Sequence, residues 1–216
     1  LAAGDALVGQ HLGRERALIY KTLVLTGLRK GELASLTVGQ LHLDGDFPYL
    51  ELAAADEKNR QGSTIPLRLD LASDLRSWLV EKANALQAAH EAPTVRFDRA
   101  ALRAAQRARS DEATRSARLR LPMTAAAELP ASTRLFDVPD KLVKILDRDL
   151  AAAGIAKRDD RGRTIDVHAL RHSFGTLLSK AGVAPRTAQA AMRHSSIHLT
   201  MNAYTDPRLL DVSGAM

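Results

Sequence analysis

Apolar residues recur at helical spacing along most of this chain, and the pattern breaks once, between Thr37 and Leu69. That single break calls for a mainly helical fold with a small antiparallel β-sheet at one edge. Leu18, Ile19, Thr22, Leu23 and Leu25 predict a first helix over 14–28, ended by Gly27 as a C-terminal cap residue would end it. Arg29 follows the break, and Lys30-Gly31-Glu32 leads to another apolar turn at Leu33 and Leu36. Within the interruption, Leu41-His42-Leu43, the turn Asp44-Gly45-Asp46, Tyr49–Leu52 and Ser63–Leu67 read as short strands. Together they predict a meander whose last turn carries Lys58 and Arg60 at its tip. Helical spacing resumes over 69–87 through Leu71, Leu75, Trp78, Leu79 and Ala83, and again over 136–153, closed by Gly154. Pro185 suits the first turn of a helix ending near Arg193, and Ser195 or Ser196 can cap another over Ile197–Tyr204. With only 4% aromatic residues, the core must be built from Leu, Ala, Val and Ile, which also favours helix.

Charge narrows the partner. A net charge of +6 and a pI near 9.9 point to a polyanion, nucleic acid ahead of a membrane surface. The arginines concentrate in 91–132, which reads either as a basic insertion lying on a phosphate backbone or as a solvated linker. There is no cysteine, which excludes disulfides, thiolate catalysis and Cys-ligated zinc. No apolar run approaches the ~18 residues that span a bilayer, and no secretory signal is present, so a cytoplasmic location is expected. The chain starts at Leu1 rather than Met, and reads as a fragment of something longer.

The chemistry concentrates in the last fifth, from Val167 to Tyr204. On a helix, His168 and Arg171 share a face, with Gly175 one turn beyond. Leu170, Phe174, Leu177 and Leu178 fall on the other side as the expected buried stripe. His194 and Tyr204 follow. Arginine, histidine and tyrosine gathered without a metal-ligand cluster suggest phosphate chemistry with no metal and no cofactor. Two arginines can grip the non-bridging oxygens of a phosphodiester and stabilise the extra charge of its transition state. A tyrosine hydroxyl can attack phosphorus, and a lysine or histidine can protonate the leaving 5′-hydroxyl.

From about Arg14 to Tyr204 the chain resembles the catalytic domain of the tyrosine recombinases, the phage and transposon integrases. Thr26-Gly27-Leu28-Arg29-Lys30-Gly31-Glu32-Leu33 is similar to the box with the first catalytic arginine, Arg29, supported by Glu32. Lys58, ahead of Ile65-Pro66-Leu67, is similar to the hairpin lysine that acts as general acid. His168-Ala169-Leu170-Arg171-His172 resembles the H-x-x-R-H box, with His172 as a supporting residue. His194 takes the place of the third basic residue, although Met192-Arg193 precedes it where Leu-Gly is usual. Tyr204 matches the nucleophile. Five such elements in one order are a far more specific signal than any one of them.

The resemblance implies site-specific DNA recombination through a 3′-phosphotyrosine intermediate, as in integration or excision of a mobile element. It implies a double-stranded DNA attachment site as partner, with Lys30, Arg60 and Arg193 among the DNA contacts. It further implies that 1–216 is one catalytic domain lacking its amino-terminal core-binding domain. The full-length protein would assemble as a homotetramer on DNA, and this fragment would be monomeric. Type IB topoisomerase-like relaxation and a non-catalytic DNA-binding module are the alternatives. The first typically carries Lys at the first position of the H-x-x-R-H box, and the second leaves Arg29, Arg171, His168 and Tyr204 as coincidence. Tyr20 and Tyr49 sit within apolar patterns and are expected to be structural; His11, His42, His90 and His198 are expected at the surface.

Overall fold

Helix α1 (Ala2–Thr26) opens the chain, earlier than its periodic core alone requires, and buries Leu18, Ile19, Thr22 and Leu23. The computed structural model describes residues 2–91 and 129–203. Residues 1–79 and 129–216 make one compact unit and residues 80–128 another. Of the second unit, 80–91 are described and continue a helix; the basic segment 91–132 lies mostly outside the described residues.

Gly27 ends α1 because it alone fits there. Its φ is +62°, and a Cβ at this position would lie 2.3 Å from Phe174 Cδ1. Helix α2 (Lys30–Ser35) starts at once, with Arg29 as its N-cap in extended backbone. Strands β1 (Leu41–His42), β2 (Tyr49–Leu52) and β3 (Ser63–Pro66) form the antiparallel meander in the order β1-β2-β3. Their register pairs Leu41 with Leu50, Leu50 with Ile65 and Leu52 with Ser63. Alternation puts Leu50, Leu52 and Ile65 in the core and leaves Glu51 and Thr64 in solvent.

Helix α3 (Leu69–Glu91) follows, its first half burying Leu71, Ala72, Leu75 and Trp78. The Trp78 indole N–H donates to the Leu135 carbonyl at 3.0 Å, and its ring meets Phe136 at 6.0 Å. The helix expected over 136–153 begins six residues late, as α4 (Leu142–Ala152). Pro139 is the reason, since a proline nitrogen cannot donate inside a helix; instead the Leu142 N–H bonds to the Pro139 carbonyl. The residues before it run beside 36–39: Leu135, Val38 and Gly39 exchange main-chain bonds with Leu36, Thr133 and Ala131. Helices α5 (Val167–Lys180) and α6 (Pro185–Met192) lead to a π-helical turn, Leu199–Ala203.

Helix α5 corrects the expected stripe. It packs on α1 and buries Val167, Arg171 and Gly175, while Leu177 is half exposed. Phe174, Leu177 and Leu178 instead line an open groove with Leu25, Ile65 and Leu67. Among the described residues, no helix is long and apolar enough to cross a membrane.

Candidate active site

The site forms where two helices end and two begin. Arg171 projects from α5 into the interior and is 1% exposed. Its two terminal nitrogens donate to the carbonyls of Gly27, just past α1, and Met192, the last residue of α6. Unpaired carbonyls at helix C-termini carry partial negative charge, so they suit a guanidinium that has left water. The residue expected to share a groove with His168 is thus anchored beneath it, while His168, one turn earlier, stays exposed.

Arg29 is held by a different device. Glu32, 3% exposed, reaches back from the first turn of α2 to the Arg29 N–H at 2.9 Å and to its Nη1 at 2.6 Å. One carboxylate therefore caps the helix and fixes the side chain of its cap residue. Burial alone would push the Glu32 carboxyl up. The hydrogen bonds from Arg29, with the charges of Arg193 and Arg29, hold it below the usual carboxylate range.

Both candidate histidines are disfavoured as cations. Burial lowers His168, and the neighbouring His172 and Arg171 lower it further. The His168 and His172 rings meet edge to face at 5.2 Å. Asp166 caps α5 by accepting the Ala169 N–H at 2.7 Å, which fixes the turn from which His168 projects. His194 is 7% exposed, and burial together with Arg171, Arg29 and Arg193 pushes its pKa down to about 4. Its Nδ1 lies 2.9 Å from Thr200 Oγ1; with the hydroxyl donating, Nε2 carries the imidazole proton. These shared charges gather Arg29, His168, Arg171 and His194 from three separate stretches of chain.

Lys58 is exposed on the turn between β2 and β3, and so is Arg60, whose φ is +54°. Lys30 donates to the Asp140 carbonyl at 2.7 Å. Arg193, expected on the DNA-facing surface, is instead 7% exposed and paired with Glu32 at 3.1 Å and Glu57 at 3.7 Å. A flexible basic side chain is usually a surface residue, but here two buried carboxylates claim it. Glu57, Asn59 and Thr200 are the residues of this site that sequence reasoning missed; no periodicity marks them, and only the place of Glu57 and Asn59 on either side of Lys58 hints at a role.

Tyr204 lies outside the described residues. The other two tyrosines are occupied: Tyr20 donates its hydroxyl to Asp149 at 2.9 Å, and Tyr49 stacks on His42 at 4.4 Å. Burial, reinforced by Asp149, pushes the Tyr20 phenol up, away from the phenolate a nucleophile needs. Among the described residues, no three His, Asp or Glu side chains cluster as a metal site.

Residues 141–209, which hold His168, Arg171, His194 and Tyr204, match the phage integrase family. A resolvase of Escherichia coli (strain K12) is 23% identical over 205 residues, covering 92% of this chain and 66% of its own length. Among solved structures, the XerH site-specific recombinase in a post-cleavage complex with its difH substrate superposes at a TM-score of 0.57 and 18% identity. That match covers 95% of this chain and 46% of XerH. The XerA recombinase gives 0.52 at 20% identity, covering 94% of this chain and 54% of its own. The Tn1549 transposon integrase, solved with transposon right end DNA, gives 0.52 at 18%, covering 89% and 54%. The chain thus spans about two thirds of the resolvase and about half of the solved recombinases. Residues 141–209 are thus similar to the phage integrase family, and the described residues share the fold of the solved recombinases.

Proposed function

We propose that this chain is the catalytic domain of a site-specific DNA recombinase that cuts and rejoins double-stranded DNA through a 3′-phosphotyrosine at Tyr204. The observation that carries the reading is that Arg171, seated on helix-end carbonyls, and Arg29, seated on a buried carboxylate, both act electrostatically on His168 and His194. The recombination substrates named for XerH and Tn1549 support DNA as the partner.

In this reading Arg29 and Arg171 bind the non-bridging oxygens and carry the charge added as phosphorus becomes five-coordinate. Arg29 is already fixed by Glu32, whereas Arg171, 1% exposed with both terminal nitrogens on carbonyls, has to turn a donor outward when the phosphate arrives. His194, neutral at physiological pH, donates through Nε2. His168, also disfavoured as a cation, accepts the proton that Tyr204 loses on attack, and Lys58 protonates the departing 5′-oxygen. The P–O bond to the tyrosine replaces the P–O bond to the 5′-oxygen, so attack by a second 5′-hydroxyl restores the DNA without an external energy source. Lys30 and Arg60 contribute to the phosphate-facing surface. The full-length protein acts as a homotetramer across paired attachment sites.

Covalent trapping tests this. The full-length protein is incubated in EDTA with a nicked duplex carrying its own attachment core, from which the cut strand's short end diffuses away. A protein–DNA adduct that maps to Tyr204, is linked to a 3′-phosphate, and is absent from Tyr204→Phe is the expected result. Tight binding with no adduct would leave only a DNA-binding module.

A further inference from the structure

The general acid of this reaction sits on an exposed turn, yet proton delivery to one oxygen needs a defined position. The structure supplies a tether. Glu57 and Asn59, the two neighbours of Lys58, both bind Arg193. Glu57 Oε1 lies 3.7 Å from Arg193 Nε, and Asn59 Nδ2 donates to the Arg193 carbonyl at 2.9 Å. Glu57 is 3% exposed and also accepts the Ser63 hydroxyl at 2.8 Å, at the start of β3. The far end of the Arg193 guanidinium donates to Glu32 Oε2 at 3.1 Å and to the Gly27 carbonyl at 3.1 Å. Glu32 is the carboxylate that fixes Arg29, and Gly27 the carbonyl that receives Arg171. A single buried side chain thus joins the Lys58 turn to the seats of both phosphate-binding arginines.

The backbone adds a second, independent sign. Arg193 has φ +52° and ψ +46°, the left-handed region in which a residue with a Cβ is uncommon and Gly or Asn the usual occupant. The turn that delivers His194 would form more readily with glycine. An arginine held there, with two carboxylates and three carbonyls around its guanidinium, is retained for its side chain.

We propose that Arg193 is a positioning residue that clamps the Glu57-Lys58-Asn59 turn onto the Arg29–Glu32 helix start and so aims Lys58 at the leaving 5′-oxygen. The proposal rests on the recombinase reading, and on Lys58 as its acid. It excludes a direct phosphate contact for Arg193.

Arg193→Gly is the informative substitution, because glycine keeps the left-handed turn and deletes only the clamp. Cleavage is measured on two versions of the nicked core duplex, one ordinary and one with sulfur replacing the bridging 5′-oxygen. A thiolate leaves without being protonated, so a defect in proton delivery disappears on the sulfur substrate, whereas a defect in phosphate binding or in Tyr204 persists. Arg193→Gly is expected to cut the ordinary duplex at least about 10-fold more slowly, within the range lost on mispositioning or removing a general acid. On the sulfur duplex it is expected to match wild type within about threefold, as Lys58→Ala does, by the same loss of an acid requirement. Its DNA affinity and the slope of affinity against salt stay unchanged, and Arg193→Lys, which keeps the charge, falls between. Asn59→Ala removes one strand of the tether from the turn side and shows the same pattern more weakly, so the inference is tested even if Arg193→Gly melts early. Equal slowing on both duplexes, or a salt slope reduced by about one phosphate contact, would overturn the positioning role while leaving the recombinase reading intact. A wild type that forms no Tyr204 adduct on either duplex would overturn both.

Discussion

Glu32→Gln is the sharpest probe of how the site is held. The carboxylate accepts three hydrogen bonds, from the Arg29 N–H at 2.9 Å, Arg29 Nη1 at 2.6 Å and Arg193 Nη2 at 3.1 Å. Glutamine has the same shape but one acceptor oxygen, and its NH2 group turns donors toward a guanidinium. Arg193, 7% exposed, would keep only Glu57 at 3.7 Å as a carboxylate partner. Breaking a buried ion pair from one side costs about 3–5 kcal/mol, and each charge-assisted hydrogen bond about 1.5–3. Since glutamine retains part of the bonding, about 3–5 kcal/mol at pH 7 is the expected loss. For a domain of this size that lowers the melting temperature by roughly 6–20 °C. The pH dependence has a definite sign. The folded-state pKa of Glu32 is lowered from 4.5, so its stabilisation is complete above that value and lost as pH falls through the lower, folded one. Wild type and variant should therefore differ by a constant amount from neutral pH down to the unfolded-state value, and converge only below it. Urea unfolding followed by the fluorescence of Trp78, the only tryptophan and fully buried, measures both quantities. A loss under about 1 kcal/mol at pH 7, or a gap that widens on acidification, would refute the account of Glu32 as an ionised keystone.

Gly27→Ala should destabilise by about 2–5 kcal/mol, the sum of about 1–2 for a left-handed alanine and about 1–3 for overpacking against Phe174. Combining it with Phe174→Leu should recover the overpacking part only, which a double-mutant cycle by chemical denaturation isolates. If His168 is the base, the cleavage rate should fall as acid protonates it, with a midpoint below its ordinary 6.5 because burial, His172 and Arg171 all disfavour the cation. His168→Gln should be slower by about 10²–10⁴ and lose that acid limb, measured as single-turnover adduct formation against pH.

Much of this was legible in the sequence, for identifiable reasons. Alternation in 41–67 and helical spacing elsewhere report which atoms must leave water, and burial of apolar surface is what the fold obeys. Arg29 could be placed because Gly27 ends one helix and Glu32 sits three residues into the next, a local arrangement. The inward face of α5 could not be read. Periodicity counts Phe174, Leu177 and Leu178 as core and Arg171 as surface, yet Arg171 is the residue inside, and Leu177 is half exposed. A guanidinium can be buried if acceptors meet it, and its acceptors here are carbonyls of Gly27 and Met192, 144 and 21 residues away. Arg193 escaped for the same reason: its carboxylates, Glu32 and Glu57, come from α2 and the β2–β3 turn, and no local pattern announces them. The start of α4 was misread because apolar spacing ran on through Pro139, where the backbone could not.

The charge balance of the site explains why its histidines suit their proposed tasks. Burial is the largest cause that disfavours the cations of His168 and His194; the charges of Arg171 and Arg29 add to it at both, and Arg193 at His194, while Asp166 opposes it at His168. A positive field of this kind attracts a phosphodiester anion, and the anion then offsets the field that made it bind. On the proposed reading, a phosphate beside Arg29 and Arg171 would shrink the electrostatic penalty on protonating His168 and make the imidazole a stronger base. On the proposed reading its basicity would rise as DNA binds, which is when Tyr204 has a phosphorus to attack and a proton to lose. On that reading, a histidine whose cation is disfavoured by burial and neighbouring charge, and relieved by substrate charge, would serve this step better than one with an ordinary pKa, partly protonated before DNA arrived.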